Sequence, residues 1–145
     1  MESFSALNDV LVGLFRYILL SEENTIITEE YKDISCNDMH IIEAIGIGEP
    51  KNMSTVANAL MITISTLTTG ISALVKKGYV VKTKSDTDRR VVYLQLTERG
   101  VAAYKHHEEF HIAMTDEVTK ELTDEEIEVL VKALKRISGY FQLRR

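Results

Sequence analysis

Six hydroxyl side chains, Thr63, Ser65, Thr66, Thr68, Thr69 and Ser72, crowd one short stretch, and Lys82, Lys84, Asp88, Arg89 and Arg90 follow closely. Hydroxyls donate to or accept from phosphates and base edges, and threonine methyls can touch the thymine methyl. An arginine suits a narrow A·T-rich minor groove, while lysines suit phosphates. An aspartate two residues before Arg90 can hold that arginine in one rotamer, which lowers the entropy lost on binding. The chemistry these residue types share is recognition of double-stranded DNA. The bland alternative is a solvated polar surface, but two separate segments converge on the same chemistry.

A second constellation is metal-like. His107 and His111 stand four residues apart on one helical face, a spacing that can bind zinc, and Glu23 and His40 can complete a tetrahedral set. Two histidines on an apolar stripe serve equally as hydrogen-bonded core or interface residues, or couple a pocket to the DNA face. No Gly-rich phosphate loop, nucleophile elbow or paired metal motif occurs, so no catalysis is expected.

The elements that must position these residues follow from periodicity. Ile64, Leu67, Ile71, Leu74 and Val75 recur at three and four, so 63–77 reads as a helix despite its β-branched residues. Lys76-Lys77-Gly78 supplies its stop. Gly70 inside it costs up to ~1 kcal/mol relative to alanine, which packing must offset. The helix carries no Asn, Gln or Arg, so bidentate base readout is not expected from it and shape should matter.

After Gly78 the period becomes two: Val92, Leu94 and Leu96 alternate with Val91, Tyr93 and Gln95. A hairpin is expected, pairing Tyr79–Lys84 with this run across a Ser85–Asp88 turn. Upstream, Ser35 with Asp38 forms a near capping box for a helix to Ile45, and Asn52 or Ser54 opens a short helix to Leu60. Residues 5–20 form an apolar-rich helix, 21–35 a polar loop, 98–119 a long helix opened by Thr97, and Thr123 with Glu126 caps a last helix.

The expected fold is mainly α with a small β-hairpin wing: a winged helix-turn-helix over about 36–97, with helices at 5–20 and over 98–145 for dimerisation, in one domain spanning 1–145. In that geometry the second helix of the motif enters the major groove. The first helix carries more apolar surface than docking on its own core requires, so a second chain is expected against it.

At 145 residues, 45% apolar and 27% charged, the chain has the make-up of one globular domain. Its net charge of −5 argues against nucleic acid until the distribution is considered. Lys76–Arg90 holds six basic residues against two acids, and Glu108–Glu128 holds nine acids against one lysine, which leaves one face for phosphate. Cys36 is the only cysteine, so no internal disulfide forms and a cytoplasmic setting is expected. Nowhere are there 18 consecutive apolar residues, and no membrane span is expected.

The run SDTDRRVVYLQLTERG, preceded by KKGY, resembles the DxR wing and LTxxG signature of the MarR family of dimeric transcription regulators, over essentially the whole chain. The resemblance implies that Asp88 orients Arg90 in the minor groove, that Thr66 and its neighbours make major-groove contacts, and that a homodimer of first and last helices binds a pseudo-palindrome. More narrowly, KDISCNDMHIIEAIG, LMITISTLTTGISALVKKGY and FHIAM resemble the FabT-type repressors of fatty-acid synthesis. That likeness implies a long-chain acyl group on acyl carrier protein as effector, with no other cofactor. Leu14, Phe15, Ile18, Met39, Ile42, His107, Phe110 and Met114 are the implied acyl-lining residues. Zinc-sensing members of the same family use a similar Glu and three-His set, which keeps zinc open as the alternative.

Overall fold

In the computed structural model, which describes residues 2–26 and 28–143, the chain forms six helices and three short strands among those residues. They are α1 (Glu2–Ile26), α2 (Cys36–Ile45), β1 (Lys51–Asn52), α3 (Met53–Leu60), α4 (Ile64–Lys76), β2 (Val80–Lys84), β3 (Val92–Leu96), α5 (Glu98–Thr119) and α6 (Asp124–Gln142). The chain divides into two compact units, Met1–Phe110 and His111–Arg145.

In the first unit the helix starts follow their caps. Ser35 accepts from Asp38 N while the Asp38 carboxylate accepts from Ser35 N, a complete capping box. Asn52 caps α3 and Thr63 caps α4 through their side-chain oxygens. Helices α3 and α4 meet at 106°, the angle of a helix-turn-helix, with Met61 in the left-handed region at the corner. The period of three and four therefore prevails over β-propensity in 64–76, because Leu67, Ile71 and Leu74 all reach the core. Gly70 explains itself here: a Cβ would stand 2.5 Å from Ile41 Cδ1, so the missing side chain lets α2 and α4 close up.

Strands β2 and β3 pair antiparallel with Val80 opposite Leu96 and Lys84 opposite Val92, the expected hairpin. Two features differ from expectation. Lys51 and Asn52 form a third strand on the far side of β3, giving the order β1-β3-β2. Two residues are too few to show a period. Residues 21–26, expected as loop, continue α1, since Ser21-Glu-Glu-Asn contains no breaker and Thr25 Oγ1 donates back to Ser21 O at 2.8 Å.

The α1 segment Ser3–Thr25 is long and apolar enough to cross a membrane by length and composition, and Glu22 is its one buried residue among those described. Phe4, Val10, Phe15 and Tyr17 are each exposed by 60% or more, so the apolar surplus has no cover from its own unit.

In the second unit, α6 opens with the expected capping box of Thr123 and Glu126. None of its described residues is buried, and Val129, Leu134, Phe141 and Leu143 stand exposed. Arg144 and Arg145, the end of the 98–145 segment, lie outside the described residues.

Candidate nucleic-acid interface

The exposed face of α4 carries Ser65, Thr66, Thr68, Thr69 and Ser72, with Thr63 at its head. Their hydrogen bonds turn inward. Thr68 Oγ1 donates to Ile64 O at 2.8 Å and Ser72 Oγ to Thr68 O at 2.9 Å, the back-bonding that hydroxyls make inside helices. Thr69 Oγ1 reaches Ser65 O at 3.5 Å, and Thr63 Oγ1 accepts from Thr66 N at 3.1 Å. With those hydrogens committed, Thr68 and Ser72 offer DNA acceptor lone pairs and, for threonine, a methyl group. A helix of this kind favours thymine methyls and cytosine amino groups over phosphate oxygens. Donors for phosphate must come from elsewhere.

The wing supplies them. Beyond β2, Ser85 N donates to Val91 O at 2.9 Å, and the Ser85 hydroxyl accepts from Thr87 N and Asp88 N, which folds the turn on itself. Asp88 Oδ1 accepts from Arg90 N at 3.0 Å and Arg90 Nε at 3.1 Å, and Oδ2 accepts from Arg90 NH2 at 3.3 Å. The guanidinium fork matches the carboxylate as a bidentate pair. The Arg90 side chain nonetheless stays 92% exposed. It is aimed without being covered, as a groove-entering arginine must be. The hydrogen bonds from the Arg90 side chain and then its backbone N–H hold the Asp88 carboxyl below its usual range. Arg89, Lys82 and Lys84 are exposed beside it. Lys82 also borders a groove with Ile64, Thr68 and Val92, so wing and helix α4 share one surface.

Burial of α4 is arranged from behind, by contacts that sequence patterns left unassigned. Thr97, where β3 ends, donates its hydroxyl to Gly78 O at 2.6 Å and its N–H to Tyr79 O at 3.0 Å, while its oxygen accepts from Gly100 N at 3.1 Å. One threonine therefore caps α5 and ties the end of the wing to the end of α4. Gly100 must be glycine because a Cβ there would meet Tyr79 O at 2.2 Å. The words KKGY and LTERG were the available signals, though their partners were not readable.

The residues implied for an acyl tunnel are spread over both units. Met39 and Ile42 are fully buried in the helix-turn-helix core. Leu14 and Phe15 are exposed, and Ile18 is half-buried. His107 is buried and stacks against half-buried Phe110 at 6.4 Å between ring centroids. Met114 and His111 belong to the second unit, where both are half-buried. A cavity of about 310 Å³ lies between α2 and the α3–α4 corner, lined by residues such as His40, Ile41, Thr66 and Gly70 rather than by those above.

Among the candidate metal ligands, the carboxylate beside the histidines of the first unit is Glu22, not Glu23, which is exposed. Glu22 Oε1 lies 3.0 Å from His40 Nε2 and 3.3 Å from His107 Nε2. Glu22 lies one residue before the expected position, and on a helix that turns it by about 100° onto the buried side. Cys36 is half-buried, and burial followed by the charges of Glu22 and Glu23 pushes its thiol pKa up, so it stays protonated and unreactive.

Comparison with known proteins agrees with this arrangement. The MarR family profile matches residues 34–92, the helix-turn-helix and wing. The crystal structure of Streptococcus pneumoniae FabT in complex with DNA superposes with a TM-score of 0.92 and 34% identity, covering 98% of this chain and 99% of that one. The transcriptional regulator MhqR of Bacillus subtilis is 29% identical over 82 residues, covering 57% of each protein. PecS of Dickeya dadantii is 33% identical over 60% of this chain and 52% of its own. The chain thus spans little more than half the length of these two curated relatives.

Proposed function

This chain belongs to the MarR family of DNA-binding transcriptional regulators, and on that premise we propose that it is a repressor of type II fatty-acid synthesis genes. It binds a pseudo-palindromic operator as a homodimer, with a long-chain acyl group on acyl carrier protein as corepressor. The observation that carries the reading is the likeness to FabT, sustained at 34% identity along 98% of the chain rather than in the reading head alone. Each unit also leaves an apolar helix face uncovered, α1 in the first and α6 in the second, and a second copy of the chain is the occupant we assign to both.

The derived division of labour is simple. Helix α4 lies in the major groove and reads shape and methyl groups through acceptors and threonine methyls. Arg90, held by Asp88, enters the flanking minor groove, and Lys82, Lys84 and Arg89 take phosphates. Weak reading by each helix is compensated by two half-sites bound at once.

The test is a fluorescence-anisotropy titration on DNA upstream of fatty-acid synthesis genes, with and without acyl carrier protein carrying an eighteen-carbon chain. Tighter binding with the acylated carrier is expected. Unchanged affinity would remove the corepressor, and no DNA binding at any salt would remove the regulator itself.

A second reading, a zinc-responsive repressor of metal uptake, is favoured by one observation: two imidazoles converge on a buried carboxylate. One oxygen and two nitrogen donors are the ligand types that suit zinc, and here Glu22 takes the place expected for Glu23 beside His40 and His107. Calorimetric titration with zinc separates the two readings, since a site no tighter than micromolar rules out this one.

A further inference from the structure

At the end of α4 the polar contacts are denser than its apolar packing requires. Lys77, the C-cap residue, donates its ammonium to Asp38 Oδ2 at 3.1 Å, the same carboxylate that completes the α2 capping box. The Lys77 carbonyl accepts from Arg99 NH1 at 2.7 Å. Arg99 NH2 donates to Asp33 Oδ2 at 3.1 Å, and its guanidinium carbon stands 4.3 Å over the centre of the Tyr79 ring. Tyr79 is fully buried, and its hydroxyl donates to Asp33 Oδ1 at 2.7 Å. One carboxylate from the connection ahead of α2 thus holds both a buried tyrosine and an arginine, and that arginine grips an end carbonyl of α4.

Magnitude decides what such a cluster is for. The Asp33 and Arg99 side chains are 37% and 47% exposed, and ion pairs that open to water contribute little to stability. Apolar packing through Leu67, Ile71 and Leu74 holds α4 against the core, but the attraction itself is non-directional. Hydrogen bonds to a planar fork are directional. An arginine that donates along two directions and stacks on a fully buried ring ties the end of α4 to a fixed direction.

We infer that Asp33 and Arg99 are positioning residues for DNA recognition: acting through Tyr79 and the Lys77 carbonyl, they fix the axial position of α4 and so the half-site spacing the protein accepts. The inference rests on the DNA-binding reading above. It adds that the connection before α2 is mechanically joined to the reading helix, because Asp33 lies in it.

The experiment uses the full chain. Wild-type protein selects duplexes from a randomised pool, and the preferred duplex is remade with its half-sites one base pair closer and one farther apart. Affinities for the three spacings are measured for wild type, Asp33→Asn, Arg99→Gln, the double variant, and Leu74→Val as a control that weakens packing alone. All are measured at a temperature where circular dichroism shows each protein folded. Wild type and Leu74→Val are expected to discriminate among spacings. Asp33→Asn and Arg99→Gln should each lose that discrimination by a factor on the order of ten, the scale of a good groove contact, and the double variant should lose no more than either. Folded single variants that weaken all spacings equally, or none, overturn the positioning role. Selection of no duplex by wild type would instead bring down the DNA-binding reading on which it stands.

Discussion

Replacing Gly100 with alanine should be among the most damaging single-methyl additions in the chain, and the geometry sets the scale. The new Cβ would lie 2.2 Å from Tyr79 O, 3.1 Å from Leu96 Cβ and 3.2 Å from Leu96 Cδ2. Relief requires a shift of roughly 1 Å, and overpacking of this kind costs about 1–3 kcal/mol. Tyr79 O cannot retreat freely, because it accepts from Thr97 N at 3.0 Å. Moving α5 instead stretches that bond and the Thr97 hydroxyl bond to Gly78 O, each contributing about 0.5–1.5 kcal/mol. The better helix propensity of alanine returns up to about 1 kcal/mol. The expected net loss is therefore about 1–6 kcal/mol, read as the shift in urea midpoint multiplied by the slope. Gly139→Ala is the paired control: nothing lies within 4 Å of its Cβ, so a gain of about 0.5–1 kcal/mol is expected. Protein concentration is held constant, since association couples to stability. A Gly100→Ala protein within 1 kcal/mol of wild type would refute the argument, because it would mean that α5 is free to move away from the end of α4.

Two further outcomes follow from the same structure. Arg90→Ala should weaken operator binding by about 1–3 kcal/mol, lower the salt slope by about 1, and leave the oligomeric state in analytical ultracentrifugation unchanged. Loss of the dimer would misplace the interface. Stability should also fall at both pH extremes for a shared reason. Burial, and then the Asp33 carboxylate, raise the Tyr79 hydroxyl above its ordinary value of 10.0, so the folded chain keeps a proton that the unfolded chain releases. That contribution is complete below pH 10 and is lost as pH rises beyond it. Burial pushes Asp33 upward, but the Tyr79 hydroxyl and Arg99 more than offset it, so its carboxyl ends below 3.8. Its contribution is present above that pH and is lost as pH falls below it. Urea midpoints measured across pH should show both limbs, and Tyr79→Phe should flatten the alkaline one.

Much of the fold was legible because its signals are local. Ser35 and Thr123 announce helix starts through hydrogen bonds that close within three residues. The change of period after Gly78 located the hairpin, and Asp88 stands two residues from the arginine it holds. Other features were out of reach. Strand β1 is too short to show a period, and the loop expected at 21–26 contains nothing that forces a helix to stop.

The residues that fix the reading helix mark the boundary most clearly. From sequence alone, α4 was identifiable as a hydroxyl-rich helix without amides or arginine, and the wing as its source of positive charge. Its hydroxyls look outward-directed in sequence, whereas the structure commits several of their hydrogens to the helix itself. Asp33 and Arg99 are 66 positions apart, and Glu22 and His40 are 18 apart. No periodicity links such pairs. What the sequence by itself determined is each element and its exposed chemistry, since caps, periods and turns act over a few residues. What only the tertiary structure decided is how those elements are held, because carboxylates such as Asp33 and Glu22 meet their partners only after the backbone has folded back to bring distant segments within hydrogen-bond reach.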